Sequence, residues 1–344
     1  MEVQDKLIRA FAKLGDIMMD SSAETQSSAE AKKLRSVMDS QEEKNKWFTP
    51  ANVNLAVRSI AEMLRKDRLE QWLAAYDLQT GRSAGVTVAV IMAGNIPLVG
   101  FHDFMCVLMA GHTILARTSH KDDELIKEIA AILIRAEPSL EGKIRFTSKI
   151  SGSYDAVIAT GSDNTARYFD YYFGKKPHIF RKNRNSVAII DKNTSAKQLK
   201  LLASDIFTYF GLGCRNVSKL YIEEGIKPED IVSYWDDWSD IIRHRPYANN
   251  YLYNKSLLTI NRKGDFTDTG YALLNMDGGF ASPVSVINYE HYTDRQNLES
   301  GLSSQSELLQ CVVSSKDLGF GETQQPGPDD YADNVDTMEF LISL

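Results

Sequence analysis

The sequence has few cysteines and no long apolar run. Its three cysteines, Cys106, Cys214 and Cys311, form an odd and sparse set, which argues against a disulfide framework and favours a reducing compartment. No Cys-x-x-Cys pair is present, so we expect no zinc or other metal site. No apolar run reaches the roughly 18 residues that cross a bilayer, and the charged N-terminal segment MEVQDKLIRAFAKLG does not resemble a signal peptide. We therefore expect a cytoplasmic protein without integral membrane association.

Positive charge is also scarce. The formal net charge is −7, from 39 Lys and Arg residues against 46 Asp and Glu residues. Without a global basic field, the protein is not expected to bind nucleic acid or anionic lipid, and an anionic ligand would need local basic groups or helix termini. The length of 344 residues predicts about two domains, and the hydrophobic fraction of 43% is ordinary for a globular protein.

The order of hydrophobic patterns predicts an α/β fold. Apolar residues recur at helical spacing through the first 77 residues, which indicates a helical N-terminal segment. The pattern changes at Gly85, and the continuous run at 86–92 (VTVAVIM) is typical of a strand buried on both faces. Strands and helices then alternate, which predicts βαβ units and a parallel sheet.

The pattern restarts at about Ser186, so we predict two domains and a tail. The first domain covers residues 1–185 and the second covers residues 186–318. Residues 319–330 (GFGETQQPGPDD) hold three glycines, two prolines and no aliphatic residue, which is typical of a linker. The apolar segment MEFLIS near the end is predicted to be a strand, so residues 319–344 form a linker and a C-terminal strand that docks back on the body.

Cys214 is the candidate nucleophile. It lies in GLGCRNVSKLYI, where two glycines indicate a sharp turn that projects the cysteine and leaves its backbone N–H available. A helix beginning at that turn, or the neighbouring Arg215, would lower the thiol pKa, and a thiolate beside a backbone N–H suits acyl transfer. The alternative is a buried structural cysteine, which is the role we assign to Cys106 and Cys311 in their apolar segments.

Two further segments have more than one interpretation. The basic run at 174–184 (GKKPHIFRKNR) is interpreted as a solvated charged face, with contacts to the phosphates of a cofactor or CoA as the alternative. The aromatic segment at 166–174 (ARYFDYYFG) is interpreted as core or interface, with the lining of an acyl-chain tunnel as the alternative.

Three segments together resemble a known family. In chain order they are AGNIPL, ATGSDNTAR and FGLGCRNVSKLY, and from about Trp47 to the end the sequence resembles the aldehyde dehydrogenase superfamily. More closely, it is similar to the LuxC-type acyl-CoA reductases, which make long-chain aldehydes from acyl-CoA. The resemblance implies a Rossmann-like cofactor domain, an α/β catalytic domain and a homo-oligomer, either a dimer or a tetramer.

The resemblance also implies site residues. Cys214 takes the place of the catalytic cysteine, and Asn95 in GNIPL takes the place of the asparagine that donates to the oxyanion. By the same resemblance, an acyl group would pass from CoA to the cysteine and then be released as aldehyde after hydride transfer.

The cofactor residues follow from two other segments. Arg117, Thr118 and Ser119 match the segment that lines the adenosine ribose, and Gly161 and Ser162 match the cofactor turn of the family. An arginine fork suits a 2′-phosphate, so NADPH is favoured and NADH stays possible.

Two departures from the family pattern bear on the reaction. Members that oxidise aldehydes carry a glutamate that activates the deacylating water, but the matching stretch FRKNRNSVAII has none, and a second family glutamate aligns with Gly279. A base that delivers water would hydrolyse the acyl-enzyme before reduction, so these departures favour an acyl-CoA reductase. The alternatives are an acyltransferase or thioesterase that uses the same cysteine, a short-chain CoA-acylating aldehyde dehydrogenase, and a non-catalytic binding protein.

Overall fold

The computed structural model describes residues 2–78, 85–161, 163–261 and 266–344. The chain divides into two compact units. The first unit comprises Met1–Lys182 and Pro326–Leu344, and the second unit comprises Asn183–Gln325. The segment predicted as a linker is therefore divided, because its residues up to Gln325 pack in the second unit and those from Pro326 onwards pack in the first.

The predicted helical N-terminal segment is confirmed. It contains α1 (Glu2–Ser22), α2 (Ala29–Lys44), α3 (Pro50–Met63) and α4 (Lys66–Leu73). Phe11, Leu14 and Met18 are fully buried, so the apolar stripe of α1 faces the core as its spacing predicts. Thr49 begins α3 as expected, since its hydroxyl accepts a hydrogen bond from the N–H of Asn52 just before the first-turn proline.

A parallel five-stranded sheet forms the rest of the first unit. Its strands are β1 (Thr87–Ile91), β2 (Thr113–Arg117), β3 (Ile144–Phe146), β4 (Ala156–Thr160) and β5 (His178–Arg181). The connecting helices are α5 (Phe101–Met109), α6 (Glu124–Ala136) and α7 (Asp163–Phe173). The order β3-β2-β1-β4-β5 is doubly wound, so the crossover direction reverses between β1 and β4. Ligands of such sheets bind outside the carboxyl ends of the strands at this point of reversal.

The predicted C-terminal strand is wrong, because the segment forms the helix α12 (Thr337–Ile342). The carboxylate of Asp336 accepts a hydrogen bond from the N–H of Glu339 at 2.8 Å and begins the helix. Met338 and Leu341, three residues apart, are both fully buried against the first unit. A short apolar run does not distinguish a strand from a helix, and here the spacing of its buried residues is helical.

The second unit is built on a six-stranded sheet of order β11-β6-β7-β10-β9-β8. Its strands are β6 (Asn185–Ile190), β7 (Val217–Glu223), β8 (Thr267–Asp268), β9 (Leu273–Met276), β10 (Val286–Tyr292) and β11 (Leu309–Val313). Its helices are α8 (Ala196–Phe207), α9 (Pro228–Val232), α10 (Arg245–Asn261) and α11 (Arg295–Ser304). Among the strands that the structure describes in this unit, only the short edge strand β8 runs antiparallel to its neighbour, so this sheet is also essentially parallel.

Within the described ranges, none of the helices is both long enough and apolar enough to cross a membrane.

Candidate active site

The turn that carries Cys214 follows an unusual stretch of backbone. After α8, Tyr209, Phe210 and Gly211 have φ angles of 53°, 60° and 75°, so three successive residues adopt the left-handed conformation. For the two non-glycine residues this costs about 1–2 kcal/mol each. Both aromatic side chains are buried, and the ring of Phe210 stacks on that of His244 at 4.2 Å, which holds the strained segment in place.

Asn216 fixes the far side of the same turn. Its Nδ2 donates to the carbonyls of Thr208 at 2.8 Å and Asp205 at 3.1 Å, with the carbonyl of Ile206 at 3.3 Å sharing the interaction. Its Oδ1 accepts a hydrogen bond from the N–H of Gly213 at 2.8 Å. A single buried amide therefore joins the end of α8 to the glycine beside Cys214. The sequence motif contains Asn216, but nothing in its spacing identifies this role.

Cys214 itself is exposed, whereas Cys106 and Cys311 are buried as predicted. Its carbonyl accepts a hydrogen bond from the hydroxyl of Ser186 at 2.9 Å, which attaches the turn to β6. No helix begins at Cys214, because the turn leads directly into β7, so the expected effect of a helix dipole on the thiol does not apply. The guanidinium of Arg215 donates to Sγ of Cys311 at 3.5 Å.

A glycine-rich loop is attached to β7 and β10. This loop, residues 278–281, contains Gly279, where the family pattern has a glutamate. Its four consecutive carbonyls accept hydrogen bonds from the side chains of Lys219, Ser218 and Asn288. The hydroxyl of Ser218 has one proton, which it donates to the carbonyl of Phe280 at 2.7 Å, and the carbonyl of Ser186 lies at 3.4 Å as a second, weaker acceptor. The loop therefore lies close to the strand residue that is attached to the Cys214 turn.

In the first unit, Asn95 lies on the loop between β1 and α5, and its side chain is exposed. The loop after β2 packs directly against this loop. A Cβ atom on Gly94 would lie 2.6 Å from Cβ and Oγ of Ser119, so only glycine allows the two loops to approach this closely. The structure therefore brings Asn95 and Ser119 to the carboxyl edge of neighbouring strands.

Arg117 is the last residue of β2, is exposed, and pairs in register with Ile91 at the end of β1. Gly161 directly follows β4, and a Cβ atom there would lie 2.9 Å from the ring of Phe169 and 3.1 Å from Thr165 on α7. Ser162, the remaining cofactor residue expected from the sequence, lies outside the described residues.

This edge fits a nicotinamide dinucleotide. Gly94 and Gly161 follow β1 and β4, the two strands that flank the reversal of the sheet, where such folds bind nucleotides. A Cβ atom at either position would collide with a neighbouring side chain, so both loops pack closely at this edge. The exposed Arg117 lies at the end of β2, which is adjacent to β1. In contrast, no group of three or more His, Cys, Asp or Glu side chains within the described part of the chain could hold a metal ion.

Asp122 was not recognised as a site residue from the sequence. It lies between β2 and α6, is 5% exposed, and accepts a hydrogen bond from the N–H of Leu98 at 2.8 Å. Burial raises the pKa of this carboxyl from its ordinary value to about 7, and the neighbouring Asp123 acts in the same direction. The pair of acids before an amphipathic helix was the only signal in the sequence, and it indicates a helix start equally well.

The basic run and the aromatic helix match their interpretations in part. Lys175, Lys176 and Lys182 are exposed, as a solvated face requires, and Phe169 is buried in a core cluster. Arg181 in the basic run is buried, forms an ion pair with Asp103 at 2.6 Å and donates to Thr337 at 2.8 Å. It therefore attaches the C-terminal segment to the first unit and is not part of a solvated face. On α7, the side chains of Tyr168, Tyr171 and Tyr172 are more than 60% exposed, so they do not belong to the core.

Comparisons with known proteins agree with this architecture. A family model described as acyl-CoA reductase (LuxC) matches residues 10–235. No curated protein sequence matches the chain.

Solved structures with the same fold cover most of the chain. An NADP dependent enzyme from E. coli has a TM-score of 0.60 and 14% identity, over 90% of this chain and 72% of its own. An acetylating aldehyde dehydrogenase from Geobacillus thermoglucosidasius has a TM-score of 0.57 and 11% identity. The match covers 90% of this chain and 76% of that protein. Aldehyde dehydrogenase 21 from Physcomitrella patens has a TM-score of 0.59 and 11% identity. The match covers 89% of this chain and 73% of that protein. The predicted aldehyde-dehydrogenase-like α/β fold is thus confirmed.

Proposed function

The chain belongs to the acyl-CoA reductase (LuxC) family, and from this premise we propose that it reduces a long-chain fatty acyl-CoA thioester to the aldehyde, with Cys214 as nucleophile and NADPH as the preferred hydride donor. The observation that carries the proposal is the exposed thiol of Cys214 on a turn that is anchored from both sides. The other two cysteines are buried in apolar surroundings, so neither is accessible to an acyl-CoA.

Cys214 begins the reaction. Its thiolate sulfur attacks the thioester carbonyl carbon, a carbon–sulfur bond forms, and the negative charge moves to the carbonyl oxygen. By the family resemblance, the side-chain N–H of Asn95 and the backbone N–H of Cys214 would donate to this oxygen, and each such donor lowers the barrier by roughly 3–4 kcal/mol. The bond to CoA then breaks, CoA leaves as its thiolate, and the acyl group remains on Cys214.

The second half-reaction releases the aldehyde. A bound nicotinamide supplies the hydride that reduces the acyl carbon. Asn95 again holds the oxygen that carries the charge, and Cys214 leaves as the thiolate when the carbonyl of the aldehyde forms. No glutamate stands in the stretch FRKNRNSVAII or at Gly279 to activate a water molecule, which supports reduction of the acyl-enzyme over its hydrolysis.

The residues that hold the cofactor lie on the first unit. By the family resemblance, Thr118 and Ser119 would hold the adenosine ribose, and the turn that begins at Gly161 would hold a phosphate or ribose group of the cofactor. Arg117 is exposed at the end of β2 and carries the fixed charge that recognises a 2′-phosphate, which supports NADPH over NADH. Ser162, by the family resemblance, completes the turn after β4.

The proposal is tested by following nicotinamide oxidation with acyl-CoAs of increasing chain length, with NADPH and NADH in turn. Wild type and Cys311→Ala should turn over a long-chain substrate, whereas Cys214→Ala should be inactive. Cys311→Ala is the matched control, because it removes a thiol of the same unit that is buried on β11.

Two other outcomes would assign a different activity. Acylation of Cys214 detected by mass spectrometry, without oxidation of either cofactor, would indicate an acyltransferase or thioesterase. Turnover limited to short acyl chains would indicate a CoA-acylating aldehyde dehydrogenase. If no acyl-CoA gives either acylation of Cys214 or turnover, the proposal is refuted.

A further inference from the structure

Asp122 occupies a position that packing alone does not explain. Its carboxylate is nearly inaccessible to solvent, and Oδ1 has no hydrogen-bond partner in the portions of the chain that the structure describes. A buried carboxylate with one unpartnered oxygen is unfavourable unless its other interactions are needed. The interaction that it makes is the hydrogen bond from the N–H of Leu98.

Leu98 is where the chain turns from the Asn95 loop into α5. Its φ of 59° is in the left-handed region, which a leucine rarely adopts, and its side chain is buried. Its carbonyl accepts a hydrogen bond from the N–H of Phe101, the first residue of α5. The hydrogen bond to Asp122 therefore stabilises a strained turn that ends the loop three residues after Asn95.

The same loop is attached at its other end by the same neighbouring segment. Gly94, immediately before Asn95, packs against the side chain of Ser119, as described above. The N–H of Asp122 donates to the carbonyl of Ser119 at 3.0 Å, so Ser119 and Asp122 belong to one closed turn. Asn95 thus lies between two attachments, both of them made by residues 119–122.

We propose that Asp122 is a positioning residue for Asn95, holding the amide that stabilises the oxyanion in place through the N–H of Leu98. This inference rests on the proposed function, in which Asn95 donates to the oxyanion. It also connects that donor to Ser119, one of the residues assigned to the cofactor, because both ends of the Asn95 loop are attached to the same segment.

The expected effect follows from the sensitivity of oxyanion stabilisation to geometry. Removing one oxyanion donor lowers the rate by roughly 10²–10³-fold, and a misplacement of about 1 Å costs up to ~10²-fold. Asp122→Ala should therefore slow acylation by about tenfold or more. Asp122→Asn keeps an oxygen that accepts from Leu98, so it should stay within about threefold of wild type.

The experiment measures CoA release in a single turnover, using the acyl-CoA that wild type converts fastest and no cofactor. The variants are Asn95→Ala, Asp122→Ala, Asp122→Asn and the double variant of Asn95 and Asp122 to Ala. Asp123→Ala is the matched control, since Asp123 is the adjacent acid but pairs with Lys127. In the Asn95→Ala background, Asp122→Ala should change the rate by less than about twofold. The alkylation rate of Cys214 should be the same in all variants.

Each outcome decides one of the two claims. If the acylation rate of the double variant falls by the product of the two single fold-decreases, the inference is overturned, because Asp122 then acts independently of Asn95. A normal rate for Asp122→Ala would overturn it too. A normal rate for Asn95→Ala, with Cys214→Ala inactive, would instead remove Asn95 from the proposed mechanism. If Asp122→Ala does not fold, Asp122→Leu, which has similar shape and no acceptor, replaces it in the cycle.

Discussion

The side chain of Asn216 determines how firmly the Cys214 turn is held, and replacing it by alanine tests this directly. The substitution removes two donated hydrogen bonds to carbonyls at the end of α8 and one accepted from Gly213, at a residue that is 3% exposed. At about 1 kcal/mol for each buried hydrogen bond, the free energy of unfolding of the second unit should fall by roughly 3 kcal/mol.

Two further variants separate hydrogen bonding from packing. Asn254→Ala removes another buried amide of the second unit, which makes one hydrogen bond among the described residues, to the carbonyl of Val284 at 2.8 Å, so it should cost about 1 kcal/mol. Asn216→Asp keeps the shape and the acceptor for Gly213, but it replaces the donor with an oxygen that faces carbonyl oxygens. It should be at least as destabilising as Asn216→Ala.

The measurement is the urea dependence of hydrogen exchange in peptides from β6 and β7, which reports unfolding of the second unit alone. The rate of acyl transfer to Cys214 should fall in parallel in Asn216→Ala, because the left-handed segment at Tyr209 and Phe210 loses an attachment. If Asn216→Ala costs no more than Asn254→Ala, or if Asn216→Asp is harmless, the amide does not fix the turn and our account of its geometry is wrong.

Two other substitutions test buried polar groups. Asp122 has a pKa of about 7 in the folded protein against 3.8 as its ordinary value, so wild type loses stability as the pH rises from about 4 to 7, by up to ~4 kcal/mol. Asp122→Asn should remove this loss, and a pH-independent difference in unfolding free energy between the two proteins would contradict it. Ser285→Gly should stabilise by about 1 kcal/mol, because φ is 70° and Oγ is buried without a partner among the described residues. Thermal unfolding should show that Ser285→Gly stabilises the protein and that Ser282→Gly destabilises it, because Ser282 loses a 2.6 Å hydrogen bond to the carbonyl of Val286.

Most elements of the fold were predictable, because their signals are local. The run at 86–92 became β1, and the hydroxyl and proline at 49–50 begin α3. Strand β5 was missed, since it lies in the basic run and places Arg181 in the core. The C-terminal helix was missed because a short apolar run does not distinguish a helix from a strand until the buried residues are known, and these are Met338 and Leu341.

The candidate site was predictable only as a set of positions. Two glycines, Gly211 and Gly213, precede Cys214 in its turn, and the sequence places Asn95 and Gly161 in the segments that follow strands. Asp122 and Asn216 were not identified, since an acid before a helix and an amide after a turn are common. Their roles depend on contacts with Leu98 and with Asp205 and Thr208, which the sequence does not specify.

The sequence by itself determined the α/β class, the helical N-terminal segment, the order of most elements and the exposed nucleophile candidate. These follow from hydrophobic period and turn residues, which act over a few positions of the chain. Only the tertiary structure decided the burial of Arg181 with Asp103, the attachment of the Asn95 loop by Asp122, and the helix at the C-terminus. Each depends on a buried polar or apolar group finding its partner from a distant part of the chain, and local pattern does not encode that choice of partner.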